Sequence, residues 1–128
     1  MFSILVIDDS AFARRIVAKS IEDRGWNVFE AKNGKEALET LGNQRIDLIL
    51  LDLTMPEMDG RALLKEMQKE GLGIPVIVIT ADMQTTTHQE VMRLGVKKVF
   101  NKPIDQEILL KSILEIISER SKIYGHFE

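Results

Sequence analysis

The chain has 128 residues, a usual size for one domain and enough to bury roughly two-thirds of its unfolded surface without a disulfide or metal staple. With 45% hydrophobic and 29% charged residues it has the composition of a soluble globular protein, and the lack of cysteine excludes a disulfide framework, a thiolate zinc site and a thiol nucleophile. Two histidines, His88 and His126, are too few for most histidine-based metal sites or triads, and a net charge of −3 leaves no electrostatic footprint for nucleic acid or an anionic membrane.

The opening Met1 to Asp9 has no basic segment, and its short apolar run Ile4-Leu5-Val6-Ile7 ends in acid, so it reads as a strand and not as a signal peptide. No apolar run approaches the ~20 residues of a membrane span, and a cytoplasmic location is the default expectation. A helix is expected over residues 11 to 24, with Ala13, Ile16, Val17 and Ile21 on one stripe and Gly25 as its stop. A second strand, Asn27 to Ala31, follows Trp26, which is expected to pack beside an edge strand. Asn33 then caps a helix through Leu41.

The third strand is Leu48-Ile49-Leu50-Leu51, and the turn Asp59-Gly60 leads into a helix that ends near Glu70. The fourth is Val76-Ile77-Val78-Ile79, followed by a helix over roughly 85 to 94 that stops at Gly95; Met67 and Met92 suit core positions. The fifth strand, Val99-Phe100, is short. After Pro103, Asp105 caps a last helix reaching about Arg120, with Ile108, Leu109, Ser112, Ile113, Ile116 and Ile117 expected against the sheet and Leu110 and Leu114 widening the arc. Residues 1–121 are expected to form the domain and 122–128 a short tail, with no output domain beyond it.

The first, third and fourth runs lack polar alternation, as strands buried on both faces do. Strand–helix alternation implies βαβ units with right-handed crossovers. Five strands favour an α/β fold with one parallel sheet, order 2-1-3-4-5, and helices on both faces, the flavodoxin-like arrangement.

Ligands in such sheets bind beyond the carboxyl ends of the strands, where the strand order reverses. Asp8 and Asp9 follow the first strand, Asp52 the third, Thr80 the fourth and Lys102 the fifth. Two like charges about 4 Å apart near a protein surface repel by roughly 4 kcal/mol, and one lysine does not offset three carboxylates. A divalent cation does, and oxygen-only donors in an open site suit magnesium. Asp52 is then a candidate carboxylate nucleophile toward phosphorus, Lys102 a stabiliser of the transferring oxygens and Thr80 a donor to a phosphoryl oxygen.

Asp8-Asp9, the segment Asp52-x-x-Met55-Pro56-x-Met58-Asp59-Gly60, Thr80-Ala81 and Lys102-Pro103 together resemble the receiver domain of two-component response regulators, over nearly the whole chain. Asp8-Asp9-Ser10-x-x-x-Arg14-Arg15-Ile16-Val17 is similar to the single-domain chemotaxis regulators. The resemblance implies Asp52 as phosphoacceptor, Asp9, Asp52 and the Thr54 carbonyl on Mg2+, with Asp8 mostly through water, and a sensor histidine kinase as donor. It implies a switch that phosphorylates and dephosphorylates itself, not a turnover enzyme. Its output is expected through a protein target at the helix 4, strand 5 and helix 5 face, as a monomer or a phosphorylation-dependent homodimer. Thr54 and Asp82 occupy positions that flank the phosphoryl group and influence its lifetime.

One position departs from the family pattern. The aromatic usual three residues before the lysine is Val99 here, and Phe100 stands one place later, on the opposite face of a strand. Arg14-Arg15 and Lys97-Lys98 read first as solvated charges, with Arg14 the one to test for kinase contact. Taken singly, each motif has a plain structural alternative: Asp8-Asp9-Ser10 as a helix cap, Lys102 as a solvated lysine. A phosphorelay intermediate and a receiver cut from a larger regulator are alternatives of the same class. A magnesium-dependent aspartyl phosphatase is the alternative from another, and Thr54 stands where such enzymes want a second aspartate.

Overall fold

The short all-apolar runs have the length of strands, and each forms one. A computed structural model describes residues 2–53, 59–82 and 84–125, with side chains through residue 119. Its elements are β1 (Ser3–Ile7), α1 (Ala11–Glu22), β2 (Asn27–Ala31), α2 (Gly34–Asn43), β3 (Leu48–Leu51), α3 (Gly60–Lys69), β4 (Val76–Thr80), α4 (Thr85–Arg93), β5 (Lys98–Asn101) and α5 (Gln106–Gly125). The strands form one sheet in the order β2-β1-β3-β4-β5, every pair parallel, as the sequence implies. No helix among the described residues is long and apolar enough to cross a membrane.

Side chains alternate across the sheet, so each central strand feeds two cores. Leu5, Ile7, Ile49, Leu51 and Val78 meet Ala37 of α2, Leu63, Leu64 and Met67 of α3 and Val91 of α4. Ile4, Val6, Leu48, Leu50, Ile77 and Ile79 meet Ile21 of α1 and Leu109, Leu110, Ile113 and Ile116 of α5. Val99 joins the first core and Phe100 the second, so the displaced aromatic does face away from the position it leaves. Trp26 packs on the second core, its ring 6.4 Å from that of Phe2.

Helix starts follow their caps. The side chains of Ser10, Asn33 and Asp59 accept from the backbone N–H three residues on, and Asp105 Oδ1 accepts from Glu107 and Ile108. Gly25, at φ 85°, ends the turn after α1 in a conformation that glycine adopts without strain.

Helix phase is where the sequence reading errs. Ile16 and Met92 are exposed, and in α5 Ile108 is 52% exposed while Leu110 is 8%. Each residue turns the helix by about 100°, so apolar side chains one place apart cannot all face the sheet. Tertiary packing selects Val17 with Ile21, Val91, and Leu109 with Leu110 and Ile113. The last helix also continues beyond the expected end near Arg120, to Gly125.

Gly60 starts α3 against the end of β3. A Cβ there would lie 2.8 Å from Leu53 Cα and 3.1 Å from the Asp52 carbonyl oxygen, and the Gly60 N–H donates to the Leu53 carbonyl at 2.8 Å. Only glycine allows that approach. Gly60→Ala is expected to lower stability by about 1–3 kcal/mol in urea unfolding; an unchanged midpoint would mean that α3 withdraws from Leu53 without cost.

Candidate functional site

Parallel register brings distant acids together. Ile7 of β1 pairs with Leu51 of β3, so the residues that follow, Asp8 and Asp52, leave the sheet side by side. The ladder runs one step past the strands: Asp52 N–H donates to the Ile7 carbonyl at 3.0 Å, Asp8 N–H to Ala31 at 3.1 Å and Lys102 N–H to Thr80 at 2.8 Å. Asp8, Asp9 and Asp52 each offer a carboxylate oxygen, all within 4.8 Å of one another. Asp8 and Asp52 are buried and Asp9 is exposed.

Lys102 reaches into this cluster. Its ammonium lies 3.0 Å from Asp8 Oδ2 and 3.4 Å from Asp52 Oδ2. Partial burial pulls its pKa down, but the hydrogen bond and charge of Asp8 and the charge and hydrogen bond of Asp52 outweigh this, and the pKa is raised. While its carboxylate partners are ionised, its pairing thus supports the fold below the normal lysine range, and that support is lost as pH rises through the raised value. One ammonium against three carboxylates leaves two negative charges. Three hard oxygen donors at this spacing, open to solvent through Asp9, fit a divalent cation such as Mg2+.

Asp8 is restrained on several sides. Its Oδ1 accepts from the Ser10 N–H at 3.0 Å, and its backbone carbonyl accepts from Arg14 Nη1 at 2.7 Å. Arg14, the one to test for kinase contact, is instead turned inward, with Nε 3.1 Å from Glu30 Oε1. Thr54, expected to supply a carbonyl to the metal, lies outside the described residues, as do Met55, Pro56 and Met58.

Thr80 ends β4 and is fully buried, its hydroxyl accepting the Asp82 N–H at 3.1 Å. Asp82 is the hub of the β4–α4 loop. Its carboxylate accepts from the Gln84 N–H at 2.9 Å and the Thr87 hydroxyl at 2.7 Å, with Arg61 at 3.8 Å, and its carbonyl accepts from Asn101 at 3.2 Å. The Gln84 and Thr87 hydrogen bonds, helped by Arg61 and His88 against a smaller burial effect, lower the Asp82 pKa. Arg61 also reaches Glu90 of α4 at 3.2 Å. Sequence reasoning missed Arg61, although a cation in the first turn of a helix, where the dipole opposes it, signals acidic partners elsewhere. His88 approaches Asn101 at 3.4 Å.

A crevice of about 450 Å³ runs from Asp8, Asp52 and Lys102 between α1 and α5, over Val17, Leu50, Ile79 and Leu109. Such a site can bind an anion through Lys102 and a cation through the acids, and its apolar floor strengthens both interactions.

Known proteins share this fold. The family model of the response regulator receiver domain matches residues 4–114. The chain is 33% identical over 117 residues to the sensor histidine kinase RcsC of Salmonella typhimurium (strain LT2), which covers 91% of this chain but 12% of that protein. Across the curated relatives compared, the chain spans about 12% to 27% of their length. Among solved structures, the CheY-like receiver domain protein of Methanospirillum hungatei JF-1 superposes with a TM-score of 0.89 at 26% identity, covering 95% of this chain and 98% of its own. The chemotaxis protein CheY4 of Vibrio cholerae gives 0.83 at 31% identity, covering 91% and 98%. With the match spanning most of its length and the family's fold in place, the chain belongs to the response regulator receiver domains of two-component signalling.

Proposed function

We propose that this receiver accepts one phosphoryl group on Asp52, in a Mg2+-dependent reaction with the phosphohistidine of a sensor histidine kinase, and signals through a protein-binding face. The observation that carries the reading is the Asp8–Asp9–Asp52 cluster bridged by Lys102. In the transfer, an Asp52 carboxylate oxygen attacks phosphorus in line as the P–N bond breaks, and the departing imidazole keeps the electron pair. Hydrolysis reverses the charge state: water adds to phosphorus, the P–O bond to Asp52 breaks, and carboxylate and inorganic phosphate remain. Asp8, Asp9 and Asp52 would hold Mg2+, which supplies charge neutralisation on the phosphoryl oxygens. Lys102 binds those oxygens, and Thr80, whose hydroxyl only accepts from the Asp82 N–H, can donate its proton to one. The exposed Phe12 and Ile16 of α1 suit kinase contact better than the inward-turned Arg14 does.

The output face is that of α4, β5 and α5, where Met92 and Leu114 stand exposed and Lys98 pairs with Glu115. Phosphorylation shifts the population of two arrangements of this face. The context is cytoplasmic, chemotaxis-type signalling, supported by likeness to CheY4 over nearly all of that chain. A second reading, a phosphorelay receiver carried within a larger signalling protein, is favoured by the 33% identity to a stretch of a sensor kinase. An aspartyl phosphatase is disfavoured by the receiver family itself.

Incubation with acetyl phosphate and Mg2+ is expected to add one phosphoryl group by intact mass, and none to Asp52→Asn. Continuous turnover of small phosphoesters without lasting modification would reject the switch. Sedimentation of the beryllofluoride-bound protein is expected to show a dimer if the exposed face self-associates; an unchanged monomer would remove self-association and leave a heterologous target as the output.

A further inference from the structure

Arg14 has one function available to it that a surface arginine lacks. Its side chain is 17% exposed, and its guanidinium bridges the Glu30 carboxylate on β2, at 3.1 Å, and the Asp8 carbonyl, at 2.7 Å. That carbonyl belongs to the peptide joining Asp8 to Asp9. Asp9 itself makes no side-chain hydrogen bond or ion pair with the described residues, so only its backbone sets where its carboxylate stands. Asp8, by contrast, is already fixed at both carboxylate oxygens by Ser10 and Lys102. Among the described side chains, Arg14 is the one that holds the Asp8–Asp9 peptide, from which the Asp9 side chain starts.

We propose that Arg14 is a positioning residue for divalent-cation binding, pre-organising Asp9 by tethering the Asp8 carbonyl to β2 through Glu30. The inference rests on the acid cluster being the Mg2+ site. It acts through geometry and not through charge. A cation near a cation site weakens binding, so loss of the Arg14 charge alone would tighten Mg2+ binding. The brace predicts the reverse sign. Arg15 supplies the internal control: it also pairs with Glu30, and with Glu22, but is half exposed and has no bond to Asp8. Lysine carries the charge without the planar fork that reaches both partners.

The test is Mg2+ titration calorimetry on wild type, Arg14→Gln, Arg14→Lys and Arg15→Gln, with the Asp8 carbonyl 13C shift read in an HNCO spectrum of each metal-free protein. Arg14→Gln is expected to weaken Mg2+ binding about tenfold, the low end for removing a residue that orients a metal ligand. It should also move the Asp8 carbonyl resonance, with Arg14→Lys intermediate and Arg15→Gln within about twofold of wild type. Equal or tighter binding by Arg14→Gln, or equal losses in Arg14→Gln and Arg15→Gln, would overturn the brace. If Arg14→Gln does not fold, the Arg14→Lys and Arg15→Gln pair decides by the same ordering. Failure of the wild type to bind Mg2+ would instead reject the metal site on which the inference rests.

Discussion

Like-charge repulsion at the carboxyl edge of the sheet is the constraint around which this chain is organised. The β1–β3 register forces Asp8 and Asp52 side by side, and Asp9 comes with Asp8 through the chain. Separated by distances of this order, such pairs cost several kcal/mol at surface dielectric, roughly 4 kcal/mol at 4 Å. The fold tolerates them because the hydrophobic strands that carry them are locked in two fully formed cores. Lys102, arriving from β5, offsets part of the repulsion. The remaining negative charge is what a divalent cation would neutralise under the proposed function.

The same edge links the acids to the rest of the molecule by short paths. From Thr80 the hydroxyl leads to Asp82, and from Asp82 to Arg61, Thr87 and Asn101, which join α3, α4 and β5. Displacement of the Thr80 hydroxyl would therefore take the acceptor from the Asp82 N–H and disturb a loop tied to three elements. Under the proposed function, this loop is the element whose hydrogen bonds would exchange partners.

Much of this was legible in the sequence. The unbroken apolar runs 4–7, 48–51 and 76–79 have the pattern and length of buried strands, and Asn33, Asp59 and Asp105 marked helix starts that their side-chain hydrogen bonds confirm. Residues that follow strands lie at one edge of a parallel sheet, so the cluster of Asp8, Asp9 and Asp52 followed from topology alone. What was not legible depends on rotation and tertiary reach. Ile108 and Leu110 are equally apolar, and only packing against β-strand side chains decides which turns inward. The inward contacts of Arg14 and Arg61 were not legible because their partners, Glu30, the Asp8 carbonyl, Asp82 and Glu90, lie on other elements.

Paramagnetic relaxation by Mn2+, used in place of Mg2+, tests the central claim most directly. Stoichiometric Mn2+ should broaden the amide resonances of Asp8 to Ser10, Leu53 and Lys102 and spare those around Asp47, a buried carboxylate paired with the Ser3 N–H at the opposite end of the sheet. Broadening spread evenly over surface acids, or centred near Asp47, would contradict a cation site built by the register of β1 and β3.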